Sequence, residues 1–320
     1  MGGLVGASAA AVLFARYRRD LRRARLRIST GSRVAETSAG PIEYAEAGDG
    51  APVLVIHGAG GGFDQSIYFA GPLVRAAFRV IAPSRFGYLR TPLPGDASPE
   101  AQADAHAALL DALGVPRAAV LGASAGAPSA MQLALRHPGR VSALVLLVPA
   151  AYPALIAPRP AGATPGRASA ATAVLFDTAL KSDFLFWLAP RLARRTVLRG
   201  ILATAPSVVE QATAGERARV DGLLERILPV SARRLGLRND ARVTSSLPRY
   251  ELERIEAPTL AISLEDDLFG TWEGARYSAQ HVPDGRFVGF PTGGHLWVGH
   301  HEELMAEIGR FLAGTAAARP

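Results

Sequence analysis

Apolar residues along this chain fall in two rhythms. Four runs are apolar at almost every position: "PVLVIHG" (52–58), "FRVIAP" (78–83), "AAVLGA" (118–123) and "ALVLLVP" (143–149). Continuous rather than alternating apolarity suits strands covered on both faces of a parallel sheet. Between them lie stretches of helical character. "SPEAQADAHAALLDALG" (98–114) is rich in Ala and Leu, opens on Ser98 with Pro99 behind it, and stops at Gly114. That combination of cap, proline and terminal glycine predicts a helix. Two shorter strands, "SRVAET" and "IEYAEAG", are predicted on either side of a turn at Gly40-Pro41. Alternation of strand and helix implies an α/β architecture with a mostly parallel, doubly wound sheet.

After Pro149 the pattern changes. Residues 150–170 are rich in Ala and Pro, and residues 171–235 read as helices with apolar stripes, among them "DFLFWLAPRLARR". Strand signals return at "APTLAIS" (257–263) and "RFVGFP" (286–291), followed by a helix, "HEELMAEIGRFLAG". The chain therefore divides into a core of residues 29–150 and 251–320 and a helical insertion of residues 151–250. An insertion at the C-terminal edge of a parallel sheet lies above the place where such folds bind ligands, so it reads as a lid. Its aromatics Phe184, Phe186 and Trp187, with Trp297 further on, fit either an apolar substrate pocket or the lid's own core.

Composition adds exclusions. A chain of 320 residues, 49% apolar and 20% charged, has ample core for one large domain or a core with a subdomain. There is no cysteine, which removes disulfides, thiolate metal sites and cysteine nucleophiles. Of the net charge of +7, the segment "RYRRDLRRARLR" (16–27) supplies +6, so all the rest of the chain carries +1. Basicity confined to one segment does not argue for a nucleic-acid partner. Fifteen uncharged residues precede those arginines; as a helix they reach roughly 22 Å, short of a bilayer core of roughly 30 Å. The charges follow the apolar run, whereas a cleavable signal peptide has them in front. Residues 1–28 thus suit an N-terminal membrane anchor on a cytoplasmic protein, with a surface-lying helix as the alternative.

The chemistry centres on Gly122-Ala123-Ser124-Ala125-Gly126, a G-x-S-x-G placed between an apolar strand and a helix. A strand that turns straight into a helix strains its corner residue and needs small neighbours, and the turn lifts the serine oxygen clear of the sheet. A serine needs a base and a third group to orient that base. Of seven histidines, His106, His137, His300 and His301 read as surface residues, His281 precedes a turn, and His57 reads as a loop-holding residue. His295, in "FPTGGHLW", lies just past the last strand and is the expected base. The acid is expected among Glu265, Asp266 and Asp267, since no acidic residue occurs from Pro149 through Phe176. Charge on the attacked oxygen would be met by the backbone N–H of Ala125 and by a second donor from "HGAGGG" (57–62). A dinucleotide loop fails there because Phe63 stands where a third glycine is required. No cofactor or metal is indicated, and the expected partner is a small-molecule substrate.

With these residues in hand, the chain resembles the α/β-hydrolase superfamily over about residues 32–320, through "VIHGAGGGF", "IAPSRFGYLRTP", "LGASAG", "LEDDLF" and "PTGGHL". It is most similar to serine hydrolases related to proline iminopeptidases, haloperoxidase-like enzymes and meta-cleavage C–C hydrolases. The resemblance implies Ser124 as nucleophile, His295 as base, Asp267 as acid and Ala59 N–H as the second oxyanion donor. Two positions depart from the family pattern: Leu264 replaces the glycine of G-x-x-D, and Ser84-Arg85-Phe86 replaces an acidic loop start. The implied activity is ester hydrolysis through an acyl-enzyme, with C–C bond hydrolysis or non-catalytic ligand binding as alternatives.

Overall fold

The computed structural model describes residues 2–152 and 182–317. Among them an eight-stranded sheet is formed by β1 (Arg33–Thr37), β2 (Gly40–Ala47), β3 (Ala51–Ile56), β4 (Phe78–Pro83), β5 (Ala118–Ala123), β6 (Val141–Leu147), β7 (Thr259–Leu264) and β8 (Gly285–Phe290). Their order is β1-β2-β4-β3-β5-β6-β7-β8. The pairs β1–β2 and β2–β4 are antiparallel, and every later pairing is parallel.

Each apolar run of the sequence is a strand of this sheet, and the reason is burial on two sides. In β3, Val53 and Val55 belong to one hydrophobic cluster and Leu54 and Ile56 to the other. One face is covered by α4 (Pro99–Ala112), α5 (Ala127–Arg136) and α11 (Thr271–His281). The other is covered by α2 (Phe63–Phe69), α3 (Gly71–Arg75) and α12 (His301–Ala317). Helix α4 starts as the sequence predicts, with the Ser98 hydroxyl accepting from Ala101 N–H at 3.2 Å.

Between β6 and β7 the described helices are α6 (Asp183–Leu192), α7 (Arg194–Gly200), α8 (Pro206–Gln211), α9 (Ala214–Glu225) and α10 (Arg234–Thr244). Most of the Ala- and Pro-rich stretch and the start of the helical region lie outside the described residues. The apolar stripes of α6, α7 and α9 join the core of the adjacent sheet face through Trp187, Leu198 and Val220. Of the two readings left open for the aromatics, Phe186 and Trp187 fit the lid's own core. Phe186 and Trp187 are buried, and the Trp187 indole N–H donates to the Asp20 carboxylate at 3.0 Å. They pack the insertion against the N-terminal helix.

That helix, α1 (Gly2–Thr30), is continuous through the arginine segment. Leu21 and Ala24 are buried and Tyr17, Asp20, Arg27 and Ile28 half-buried, a stripe at intervals of three and four. Among the described residues no helix is long and apolar enough to cross a membrane, so the expectation of a membrane-spanning anchor is not supported. The later turns of α1 are committed to protein contacts.

Candidate active site

Strand β5 ends at Ala123 and the chain turns at once through Ser124–Gly126 into α5. Ser124 has φ of +50°, a left-handed conformation that costs a non-glycine residue on the order of 1–3 kcal/mol. The two flanking glycines are steric necessities. A Cβ on Gly122 would lie 2.6 Å from the Ala130 Cβ, and one on Gly126 would lie 2.6 Å from the carbonyl oxygens of Ile56 and His57. The spacing G-x-S-x-G is thus dictated by α5 on one side and the end of β3 on the other. Ser124 itself stays partly exposed.

The structure brings His295 and Asp267 to this corner. His295 Nε2 lies 2.9 Å from Ser124 Oγ, and His295 Nδ1 lies 2.8 Å from Asp267 Oδ2. Topology makes the second contact: β7 and β8 are paired in register at Leu264 and Phe290, so the loops leaving their C-terminal ends run side by side. Asp267 also accepts from the Phe269 N–H at 2.9 Å and from the Thr271 hydroxyl. Burial alone would push its carboxyl up, but the His295 imidazole and these two donors outweigh it and hold the group below the usual carboxylate range. The site therefore presents an ionised carboxylate to the Nδ1 side of the imidazole.

The neighbouring acids do other things. Asp266 turns away and accepts from the N–H groups of Gly293 at 3.1 Å and Gly294 at 2.7 Å, shaping the histidine loop. Glu265 is exposed. Leu264, the departure from the family pattern, is buried with its Cδ2 where a Cβ on Gly293 would come within 2.5 Å. The side chain at 264 and the missing one at 293 are complementary.

The "HGAGGG" loop passes directly over Ser124, since a Cβ on Gly58 would lie 3.0 Å from the Ser124 Cβ. Ala59 is exposed, and its N–H has no hydrogen-bond partner among the described residues. Ala125 follows Ser124 in the same turn. His57 holds the loop: its Nδ1 lies 2.7 Å from Gly58 O and its Nε2 accepts from Arg85 N–H at 3.0 Å. That pattern assigns the proton to Nδ1. Full burial, with Arg85 nearby, keeps the ring neutral far below the usual histidine range.

Two histidines read as surface residues are buried. His106 is fully enclosed between α4 and α5, near the Ser129 hydroxyl at 3.4 Å, and burial pushes its pKa down to about 3. His301 accepts from the Trp297 indole at 3.1 Å and is held at about 4, chiefly by burial. Both belong to helices whose polar residues, read in sequence, look exposed, and only tertiary packing turns them inward. Trp297 is likewise buried, in a T-shaped contact with Phe69.

Other site residues escaped the sequence reading. The Phe269 ring meets the His295 ring edge-on at 4.7 Å while remaining 45% exposed, an apolar surface beside the imidazole. Its signal was present in "LEDDLF", two residues past Asp267. Ser84, where an acid is usual, donates to the buried carboxylate of Glu43 at 2.8 Å. Arg85 pairs with Asp240 of α10, both nearly buried.

The site's elements and order are those of one fold family: the family model for the alpha/beta hydrolase fold matches residues 51–298, and the chain belongs to that family. A 2-hydroxy-6-oxo-6-phenylhexa-2,4-dienoate hydrolase of Comamonas testosteroni is 34% identical over 113 residues, covering 34% of this chain and 40% of that protein. The chain spans about two fifths of the length of the curated relatives it matches. Among solved structures, an alpha/beta hydrolase fold protein from Nakamurella multipartita is 28% identical with a TM-score of 0.69, over 88% of this chain and 98% of that one. A membrane phospholipase A, described as a bacterial virulence factor, is 25% identical with a TM-score of 0.65, over 98% of this chain and 96% of its own.

Proposed function

We propose that the protein is a cofactor-free serine hydrolase that cleaves a carboxylic ester of a small, apolar substrate. The observation that carries this is the double engagement of His295, 2.9 Å from Ser124 Oγ on one ring nitrogen and 2.8 Å from Asp267 on the other. Ser124 Oγ attacks the carbonyl carbon while His295 Nε2 takes its proton, and Asp267 stabilises the imidazolium that forms. The N–H groups of Ala59 and Ala125 receive the developing oxyanion. His295 then returns its proton to the departing alkoxide. Water, deprotonated by the same nitrogen, releases the acyl group from Ser124. Ser124→Ala is expected to lower turnover of a p-nitrophenyl ester roughly a millionfold. Near-normal hydrolysis by that variant would end the covalent mechanism, and a wild type that never labels with a fluorophosphonate would favour a ligand-binding protein instead.

The name of the Comamonas relative favours a second reading, C–C bond hydrolysis of a ring-fission product. That chemistry would draw on an insertion arginine for the substrate's carboxylate. Arg194 pairs with Asp221, Arg195 with Glu210 and Arg233 with Asp64, while the half-buried Arg234 has no side-chain partner among the described residues and is the insertion arginine left for that role. Turnover of an ester panel beside a ring-fission product separates the two.

For location, the exposed Val12, Leu13 and Phe14 ahead of the arginines support contact of α1 with the cytoplasmic face of a bilayer. Equal co-sedimentation with anionic lipid vesicles of the full chain and of one lacking residues 1–14 would reject it.

A further inference from the structure

The peptide groups around Ala59 are fastened from two sides. On one side Gly60 N–H donates to the Tyr88 hydroxyl at 3.1 Å, and that hydroxyl donates to Asp240, which also receives both terminal nitrogens of Arg85. On the other side the Arg233 guanidinium, whose side chain is 0% exposed, donates to the Gly61 carbonyl and to both oxygens of Asp64. Gly62 is the residue that lets it approach: a Cβ there would lie 2.5 Å from Arg233 Nη1. Each pair takes one member from the core and one from the insertion.

The Asp64 pair has a third member from outside both. Arg27, in the last turns of α1, donates through Nε to Asp64 Oδ2 at 2.9 Å. Its Nη2 donates to the carbonyls of Glu225 at 3.0 Å and Leu228 at 2.8 Å. Arg233 Nε in turn donates to the carbonyl of Ile227 at 3.2 Å, in that same segment. One guanidinium of α1 thus fixes both the carboxylate that holds Arg233 and the backbone that Arg233 leans on. The rest of α1 is fastened to α6 through Asp20, which accepts from Trp187 at 3.0 Å and from Arg191 at 3.1 Å.

We propose that α1 is a positioning element for the oxyanion loop, with Arg27 acting through Asp64 and Arg233 to hold the Ala59 N–H in place. The proposal rests on the reading of Ala59 as an oxyanion donor. A donor in such a site works only when fixed before charge develops, and small misplacements are costly in rate. A loop freed on one side would still bind substrate, because Ala59 meets the transition state rather than the ground state. Loss of Arg27 therefore appears in kcat and leaves KM alone.

The test uses the full chain with Arg27→Ala, and Arg25→Ala as the control, since Arg25 shares the helix but its one ion pair among the described residues is the longer one to Asp183, at 3.9 Å. Arg27 is the chosen site because its side chain is 26% exposed, whereas removing the fully buried Arg233 would strand a buried carboxylate and threaten folding. Steady-state hydrolysis of a p-nitrophenyl ester is read together with amide hydrogen exchange of the peptide spanning residues 57–62. Arg27→Ala is expected to lower kcat about tenfold with KM unchanged and to speed exchange in the loop, with Arg27→Lys intermediate and Arg25→Ala like wild type. Unchanged loop exchange, or faster exchange with unchanged kcat, overturns the proposal. Should the wild type hydrolyse no ester and resist fluorophosphonate, the catalytic reading falls by itself, and the exchange arm alone decides whether Arg27 holds the loop.

Discussion

Asp267→Asn is the sharpest probe of the site, because the structure says how an amide would fit. Asp267 Oδ1 receives the Phe269 N–H, so in the variant the amide oxygen belongs there. The amide NH2 then takes the place of Oδ2, facing His295 Nδ1 and the Thr271 hydroxyl. Thr271 has a second partner in Ser263 Oγ at 2.8 Å and can turn its hydrogen toward it. The fold thus tolerates the change, but His295 does not: Nδ1 must now accept, which moves the ring proton to Nε2. An Nε2–H pointing at Ser124 Oγ is unable to take the serine's proton. Inverting the tautomer and removing the charge that stabilises the imidazolium is expected to cost roughly 10⁴ in kcat, about 5.5 kcal/mol. Asp266→Asn keeps the tautomer and only weakens the bonds to Gly293 and Gly294, so its loss should stay within about tenfold. The assay is ester turnover by both variants, with melting curves to show that each is folded. A folded Asp267→Asn within tenfold of wild type, or an Asp266→Asn that loses more, would refute the assignment of the acid.

Gly126→Ala places a methyl 2.6 Å from two backbone carbonyl oxygens that have no room to withdraw. It should destabilise by about 1–3 kcal/mol, read from urea midpoints, and an unchanged midpoint would show that the elbow is not packed as described. His106 carries a pKa of about 3 when folded, below the unfolded value near 6.5. On acidification the unfolded chain binds the proton first, so stability is full above about pH 6.5 and declines toward pH 3, by roughly 2 kcal/mol at pH 5. His106→Asn should flatten that decline in urea titrations at pH 7, 6 and 5, and an identical slope would discard the buried neutral ring.

The legible part of the site is the part written in local steric rules. Ser124 could be found because a strained corner forces glycines at 122 and 126, and a sequence shows glycines plainly. His295 could be found because two glycines after a last strand mark a loop at the sheet's active edge. The acid was less legible, since "EDD" offers three carboxylates to one imidazole. Which one faces it depends on the pairing of β7 with β8 and on Asp266 being taken by the glycine amides. The polar scaffold was illegible altogether: Asp64, Arg85, Arg233 and Asp240 look like surface charges in a string of letters. Their partners lie far along the chain, 155 residues away for Arg85 and Asp240.

By itself, then, the sequence determined the strands, the helices between them and the fold class, because apolar runs and caps act over a few residues and every residue carries its own propensity. It also determined that a serine would stand at a strained turn. Tertiary structure alone decided which aromatics and which histidines are buried. It decided as well that an arginine-rich helix at the N-terminus reaches Asp64, in the helix that follows the loop beside Ser124. Those outcomes depend on which surfaces meet after the chain folds back on itself, and a charge or an aromatic ring has no intrinsic preference for one partner until an element from elsewhere supplies it.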